Sequence, residues 1–476
     1  RLLSVLRCGP QATKGVALST IPLPERPNVE QLKKRAKEIQ REFGIPLNQA
    51  QLNMARGHGF PSWPKLIKHV ELVTQLTRTP DTVPESSDPA DEFLRTACLT
   101  YGDADRPGLV AQPASEIATA NVWTAAATGS VPTLIEMHRD AVRVGGPFQW
   151  EPLMYLCYGR VEMPETDAVA AARLLLDAGA DPNAGYLWHG FPTPFTALTG
   201  VFGHGEGAQA PHPHAAALAR VLLEHGADPN DGQTLYNRQF EPGVEHLELL
   251  FEFGLGQGDG GPWKERLTTA LETPAEMLRD QLRWAIHHDM RDRVRLLAEN
   301  GVDLLTPFDN PRFAHCHGRT PTQWAMLCGN DVVVRTLAAH GAASEPLNDV
   351  DEFIGAVMAG NSGKAMEMDI DFDIASVARP ERPSLVVQAV ASGRTPAVSA
   401  ALTSGFDINA LGRSDSPCEQ PWETALHTAV GNDDAPMVKL LLALGADPSI
   451  TDARFNATPK GWAEHFGNER MAALFD

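Results

Sequence analysis

At 476 residues the chain is longer than one conventional hydrophobic core, which indicates either several domains or an array of repeats. Residues 1–80 hold 13 Lys/Arg against 5 Asp/Glu, so their net charge is +8 and the remaining chain accounts for −28 of the total of −20. An acidic body repels phosphate groups, so nucleic acid is not an expected partner, and no apolar run reaches the ~20 residues that cross a bilayer.

The beginning of the chain differs from the rest in charge. Its first 20 residues contain three cations and no acid, yet they lack the clear apolar segment of a signal peptide. We predict that residues 1–26 form a flexible arm, and whether this arm belongs to the mature protein stays open. The six cysteines of the chain are widely spaced without a CxxC pair, which is typical of a reducing compartment. We therefore expect a cytoplasmic protein.

A short helical module follows the arm. Leu32, Ala36 and Ile39 recur at helical spacing, and residues 48–73 have the pattern of two further short helices. The range 27–73 is thus predicted to be a small basic helical module. Residues 74–90 are rich in Pro, Ser and Thr, which favours a linker.

From residue 91 onward one sequence unit recurs. It is an apolar helix that ends in glycine and continues into a polar turn, because a glycine tolerates the left-handed backbone that ends a helix and Asp-Pro-Asn favours a turn. The clearest copies are AARLLLDAGADPN (171–183), LARVLLEHGADPN (218–230) and MVKLLLALGADPS (437–449). Weaker copies lie at 293–305, 333–345 and 398–409.

A second signature precedes several of these units. Threonine, usually followed by proline, stands where a helix begins, and this pair suits the first turn because threonine caps free N–H groups and proline loses no helical hydrogen bond there. Thr-Pro/Ala-Leu-His-x-Ala followed by Leu-Leu-x-x-Gly-Ala-Asp resembles the ankyrin repeat. The stretch Thr424–Asp447 is nearly a family consensus, with Ala425 in place of the usual proline.

The resemblance implies an all-α fold over 91–476, an ankyrin-repeat solenoid of about nine to ten helix pairs. Gly146 and Gly179 are 33 residues apart, the ankyrin period. The module at 27–73 is similar to one that precedes ankyrin arrays in many bacterial proteins. The family role of the histidine at position 427 is hydrogen bonding between loops.

The range 185–264 is predicted to be an enlarged loop insertion in this array. Rings and convergent polar groups on long loops above a rigid scaffold suit a recognition pocket, but the same rings could fill a local core, and both alternatives stay open. The pocket candidates are Trp188, His189, Phe191, Phe195, Phe202, His204, Glu206, His212, His214, Asp231, Gln233, Tyr236, Asn237 and Trp263.

The sequence contains no clear metal-binding or catalytic motif. The pairs His204/Glu206 and His212/His214 offer ligand atoms, but the glycines and prolines between them do not hold those atoms on one helix face, so no metal and no cofactor is predicted. HExxH, GxSxG and Walker A strings are absent, and catalytic residues stay unknown. The first hypothesis is a protein-interaction scaffold with an acidic surface. The alternative is a small-molecule binder or unorthodox enzyme that uses the 185–264 insertion.

Overall fold

A computed structural model gives the architecture, which is mainly helical. It divides into two compact units, Arg1–Met277 and Leu278–Asp476. The residues that the structure describes are 23, 27–102, 109–136, 139–205, 207, 209–267, 271–310, 316–343, 345–413 and 421–476. The predicted arm at 1–26 therefore lies almost entirely outside the described residues. Among the described helices, none is both long enough and apolar enough to span a bilayer.

Three helices occupy the predicted N-terminal module. They are α1 Val29–Phe43, α2 Leu47–Gly57 and α3 Trp63–Leu76. The side chain of Asn28 caps α1 by accepting from two backbone N–H groups, and Gly44 ends the helix in the left-handed region. The apolar stripe predicted from helical spacing turns inward, where Leu32 and Ala36 pack with Leu66 of α3 in one small core.

The first unit continues with a small sheet and further helices. In chain order these elements are β1 Thr77–Arg78, α4 Pro89–Ala97, α5 Ser115–Ala118, α6 Val122–Ala127, α7 Val131–Glu136, α8 Pro152–Tyr158, α9 Glu165–Asp177, β2 Gly185–Trp188, β3 Pro194–Thr196, α10 Ala197–Phe202, α11 Ala215–Glu224, α12 Gly232–Arg238, α13 Glu245–Glu252 and α14 Gly261–Leu267. Every residue of α8 is buried, as expected for a helix that is apolar all round. Helix α8 packs against both α6 and α10.

The small sheet corrects the prediction of a linker at 74–90. Helix α3 runs to Leu76, and the next two residues form β1, which pairs in parallel with β2. Strand β2 also pairs antiparallel with β3, with Tyr186 opposite Phe195. Proline, serine and threonine content suggested an unstructured connection, but the backbone of Thr77 and Arg78 finds hydrogen-bonding partners in a strand more than 100 residues away.

The prediction of one enlarged loop at 185–264 is also corrected. Most of this range is regular structure, namely the β2–β3 hairpin and the helices α10 to α14. The glycines and prolines that suggested a loop stand between short elements. Gly203, for example, ends α10 at a φ of 60°.

The second unit consists of successive short helices. In chain order they are α15 Pro274–His287 (which begins in the first unit), α16 Arg291–Glu299, α17 Pro321–Leu327, α18 Asp331–Ala339, α19 Asp349–Met358, α20 Ser362–Phe372, α21 Ile374–Glu381, α22 Leu385–Ala391, α23 Thr395–Thr403, α24 Ala425–Gly431, α25 Ala435–Ala443, α26 Pro459–His465 and α27 Glu469–Ala472. The predicted threonine caps are confirmed at Thr320, Thr424 and Thr458, each of which precedes a helix.

The glycine-ended turns take the predicted form in both units. Gly179, Gly226 and Gly445 have φ values of 100°, 95° and 92°, which only glycine adopts readily. The following aspartate closes the turn on itself: the Asp181 carboxylate accepts the backbone N–H of Asn183 at 2.9 Å. The same bond recurs at each clear copy, so the repeated sequence encodes one repeated local structure.

The asparagine of the turn connects one repeat to the next. In the first unit the Asn183 side chain accepts the backbone N–H of Asp228 at 2.8 Å and donates to the carbonyl of Gly226 at 2.9 Å. In the second unit Asn409 accepts the N–H of Asp447 at 2.8 Å. Consecutive turns therefore stay in register because the asparagine amide satisfies backbone groups of its neighbour.

Candidate functional site

The predicted pocket rings lie together, inside the first unit. Trp188 stacks on Phe191 with ring centroids 5.4 Å apart, and Phe195 packs against Tyr186 and Tyr101 at 5.8 and 5.0 Å. All of these side chains are buried. They extend a cluster of aromatic rings around α8, so in this structure they fill a core beneath the β2–β3 hairpin.

Two further predicted rings are buried elsewhere in the same unit. The indole N–H of Trp263 donates to the carbonyl of Asn183 at 2.9 Å, and Phe202 packs edge-on against His246. Tyr236 is half-buried against Phe240, with ring centroids 5.4 Å apart. These three rings are each engaged by different neighbours.

Asp231 organises the polar part of the predicted site. Its carboxylate caps α12 by accepting the N–H of Thr234 at 2.9 Å, and it also accepts from the hydroxyls of Thr196 and Thr199. Burial raises the pKa of Asp231 to about 6, an effect that the Thr196 hydrogen bond opposes. The carboxylate thus connects the starts of two helices, α10 and α12.

A second buried network surrounds Asn237. Its amide accepts from Gln233 at 2.8 Å and donates to the hydroxyl of Tyr101 at 3.1 Å, and that hydroxyl donates to the carbonyl of Thr199. The backbone carbonyl of Asn237 accepts the N–H of Gly205. Gln233 and Asn237 therefore hold the loop after α10 in place.

The four predicted pocket histidines do not share one common partner. His189 lies 2.8 Å from the carboxylate of Asp81, and His204 lies 3.6 Å from that of Glu241. The ring of His214 bonds the carbonyl of Met163 at 2.7 Å, whereas Nδ1 of His212 accepts the N–H of His214 at 3.0 Å. Glu206 lies outside the described residues. Within the part of the chain that the structure describes, no group of three His, Cys, Asp or Glu side chains is arranged to hold a metal ion.

A buried cation, Arg160, lies near His212. The guanidinium of Arg160 donates to the carbonyls of Ala210 and Gly200 at 2.7 and 2.8 Å, and it reaches further carbonyls at the end of α8. Burial, with a further contribution from Arg160, lowers the pKa of His212 to about 3. Sequence reasoning missed Arg160, which carries no motif.

We expect His212 to make folding sensitive to acid. Its pKa is about 3 in the folded state and about 6.5 in the unfolded chain, so below pH 6.5 only the unfolded state takes up the proton. The contribution of neutral His212 to the free energy of unfolding is therefore present above pH 6.5 and decreases as the pH falls toward 3. At pH 5 about 2 kcal/mol of it is lost. Urea unfolding at pH 7 and pH 5 measures it. In His212→Asn, the loss between the two pH values should be smaller by that amount; an equal loss would contradict the assignment.

An open cleft of about 740 Å³ lies beside β1. Val29, Arg78, Phe148 and Gln149 line it together with His189, which is the only member of the predicted site set among its lining residues. The segments that form it are distant in sequence, so no local pattern could have indicated it.

The clearest repeat of the second unit presents a different surface. The ring of His427 accepts the backbone N–H of Thr424 at 3.2 Å, and its other nitrogen bonds the carbonyl of Ala457 at 3.0 Å. Burial lowers the pKa of His427, which favours the neutral ring that both bonds require. His427 thus connects its own helix to the loop that follows α25.

That loop is folded around one carboxylate. The side chain of Asp452 accepts the N–H groups of Arg454, Phe455 and Ala457 at 2.8, 2.6 and 3.1 Å, and the indole N–H of Trp462 at 3.0 Å. Four donors on one buried carboxylate fix the loop backbone between residues 452 and 457.

Two side chains of this loop, Arg454 and Phe455, pack against Trp422, which lies just before α24, and we name these three residues the finger surface. The Arg454 guanidinium lies 4.6 Å from the Trp422 ring centroid, and Phe455 meets the same indole edge-on at 5.9 Å. Phe455 is 60% exposed. Sequence reasoning missed this surface, although the stretch ARFN after a GADPS turn was the available signal.

Comparison with known proteins bears on this part of the chain. The family model of the ankyrin repeat matches residues 422–453, which include α24, α25 and the turn that follows them. A comparison with curated proteins gave no match. The chain therefore carries an ankyrin repeat, which spans residues 422–453.

Proposed function

We propose that this chain binds a protein partner through the finger surface, which lies at the end of its ankyrin repeat. An ankyrin repeat suggests a role in protein interaction, since short stacked repeats present extended surfaces to other chains. The described helices of the second unit recur in short pairs of this kind, which supports a surface larger than one repeat.

The observation that carries this proposal is the exposure of Phe455. Large rings are usually buried, yet this ring is 60% exposed on a loop whose backbone the Asp452 carboxylate holds in place. A rigid loop loses little conformational entropy on binding, and exposed aromatic side chains next to arginine are typical of the residues that dominate binding energy.

Charge indicates the kind of partner. The sequence from Thr395 to Asp476 holds 5 Lys/Arg against 11 Asp/Glu, a net charge of −6. A partner with basic groups around an apolar pocket would complement this surface, and its association rate should decrease with added salt.

Photocrosslinking tests the proposal. A photoreactive phenylalanine analogue at position 455 of the full chain should capture one defined protein, whereas the same analogue at position 444 should not. Leu444 is the matched control because it is a 46% exposed apolar side chain of the ankyrin repeat that precedes Phe455. The captured protein, once purified, should bind Phe455→Ala about 30-fold more weakly than Leu444→Ala. Equal capture at both positions, or equal affinities, would contradict the proposal.

Binding of a small molecule is the second candidate function. It is supported by the cleft beside β1, whose volume of about 740 Å³ lies within the usual range of ligand sites and whose lining mixes apolar and polar side chains. A rise in the melting temperature of the full chain on addition of a small molecule would favour this candidate. This binding would not involve the finger surface.

A further inference from the structure

One helix of the second unit presents apolar side chains to solvent. On α20, Met366 is 52% exposed and Ile370 is 78% exposed. The two residues are four positions apart in a helix of 11 residues, so their side chains are neighbours on one helix face. Val377, on the helix that follows, is 47% exposed.

The corresponding helices of neighbouring repeats differ from α20. Exposed positions near the middle of α16, α18, α23 and α25 hold Arg295, Arg335, Ser399 and Lys439. A helix face that stays in water is expected to be polar, as these four are. The apolar face is therefore a property of α20 rather than of the repeat.

The segment that carries this face is acidic in sequence. The three consecutive helices from Asp349 to Glu381 hold 8 Asp/Glu against 2 Lys/Arg, a net charge of −6. Glu367, next to Met366, is exposed. A segment with this net charge repels the phosphates of nucleic acids and of anionic membranes, and it attracts cations.

We propose that α20 is a docking site for a cationic amphipathic helix of a partner protein. The apolar side of such a helix would cover Met366 and Ile370, while its Lys and Arg side chains would meet carboxylates of this segment such as that of Glu367. The flexible thioether of Met366 adapts to different apolar neighbours, which suits helix recognition. This site is separate from the finger surface, and each can be tested without the other.

The test uses a designed, fluorescein-labelled 18-residue helix of leucine and lysine and the full-length chain. Fluorescence anisotropy should show binding that weakens with salt, and a matched peptide with glutamate in place of lysine should not bind. Met366→Gln/Ile370→Gln should lose about tenfold or more in affinity, because the buried apolar contact is removed while the charge stays the same. Leu444→Gln and Phe455→Ala should bind within about twofold of the unchanged chain, since a tenfold change already corresponds to about 1.4 kcal/mol.

Full affinity in the double glutamine variant, or an equal loss in Leu444→Gln, would overturn the proposal. Because both replaced side chains are exposed, the helical content and melting temperature should not change. If the double variant does unfold, Ile370→Gln alone gives the answer, since that side chain is the more exposed of the two. Binding of the lysine peptide by Ile370→Gln with unchanged affinity would equally contradict the proposal.

Discussion

Replacement of Gly200 by alanine is expected to lower the free energy of unfolding by about 3 kcal/mol, the upper end of the usual cost of overpacking a core. A Cβ atom at this position would lie 2.2 Å from two ring carbons of Tyr158. That ring is completely buried, it packs against Trp150 and Tyr186, and its hydroxyl donates to the carbonyl of Thr196 at 2.9 Å. The ring therefore has no space into which it can move.

Urea unfolding followed by tryptophan fluorescence measures the effect of Gly200→Ala. Gly461→Ala is the control, because its Cβ would meet only atoms at 3.5 Å or more and alanine is the better helix former in α26. Gly461→Ala should raise the free energy of unfolding, by no more than about 1 kcal/mol. A Gly200→Ala variant as stable as the control would mean that the ring cluster around α8 is not packed as described.

The second large effect is expected from Asp452→Ala. Its carboxylate accepts four hydrogen bonds, three from the backbone of the loop and one from the indole of Trp462, and alanine leaves all four donors without this acceptor. The indole donor is buried, whereas the three backbone donors are part-buried and water can replace some of their lost bonding, so we expect a total loss of about 3 kcal/mol.

The same variant should also affect binding. Without the carboxylate the backbone of Phe455 is no longer fixed. The partner identified by crosslinking should therefore bind Asp452→Ala at least as weakly as it binds Phe455→Ala. Thermal unfolding and binding are measured on one preparation, with Asp447→Ala as control because that carboxylate is exposed and bonds only within its own turn. Unchanged stability in Asp452→Ala would contradict the role given to this residue.

Local features of the fold could be predicted from the sequence because they depend on neighbouring residues. Gly179 and Asp181 suffice to predict a glycine-ended turn, and Thr424 suffices to predict a helix start, since the partners of these groups lie within four residues. The mainly helical character of the fold followed from many such local signals, all of which favour short helices.

Non-local features could not be predicted in this way. Whether Trp188 and Phe195 line a pocket or fill a core depends on Tyr101 and Thr100, which lie about 90 residues earlier in the chain. Pairing of β1 with β2 likewise joins segments that no sequence pattern connects. For the finger surface the sequence supplied the residues but not their exposure, which is set by the bonds of Asp452.

The central claim is that a partner protein binds the finger surface. Hydrogen exchange of the full chain, alone and in complex with the partner identified by crosslinking, tests it most directly. If the partner binds the finger surface, the backbone amides of residues 450–457 should exchange more slowly in the complex, while those of α12 and of β2 should be unaffected. Slower exchange confined to the first unit, with none at residues 450–457, would show that the partner binds elsewhere and would contradict the account.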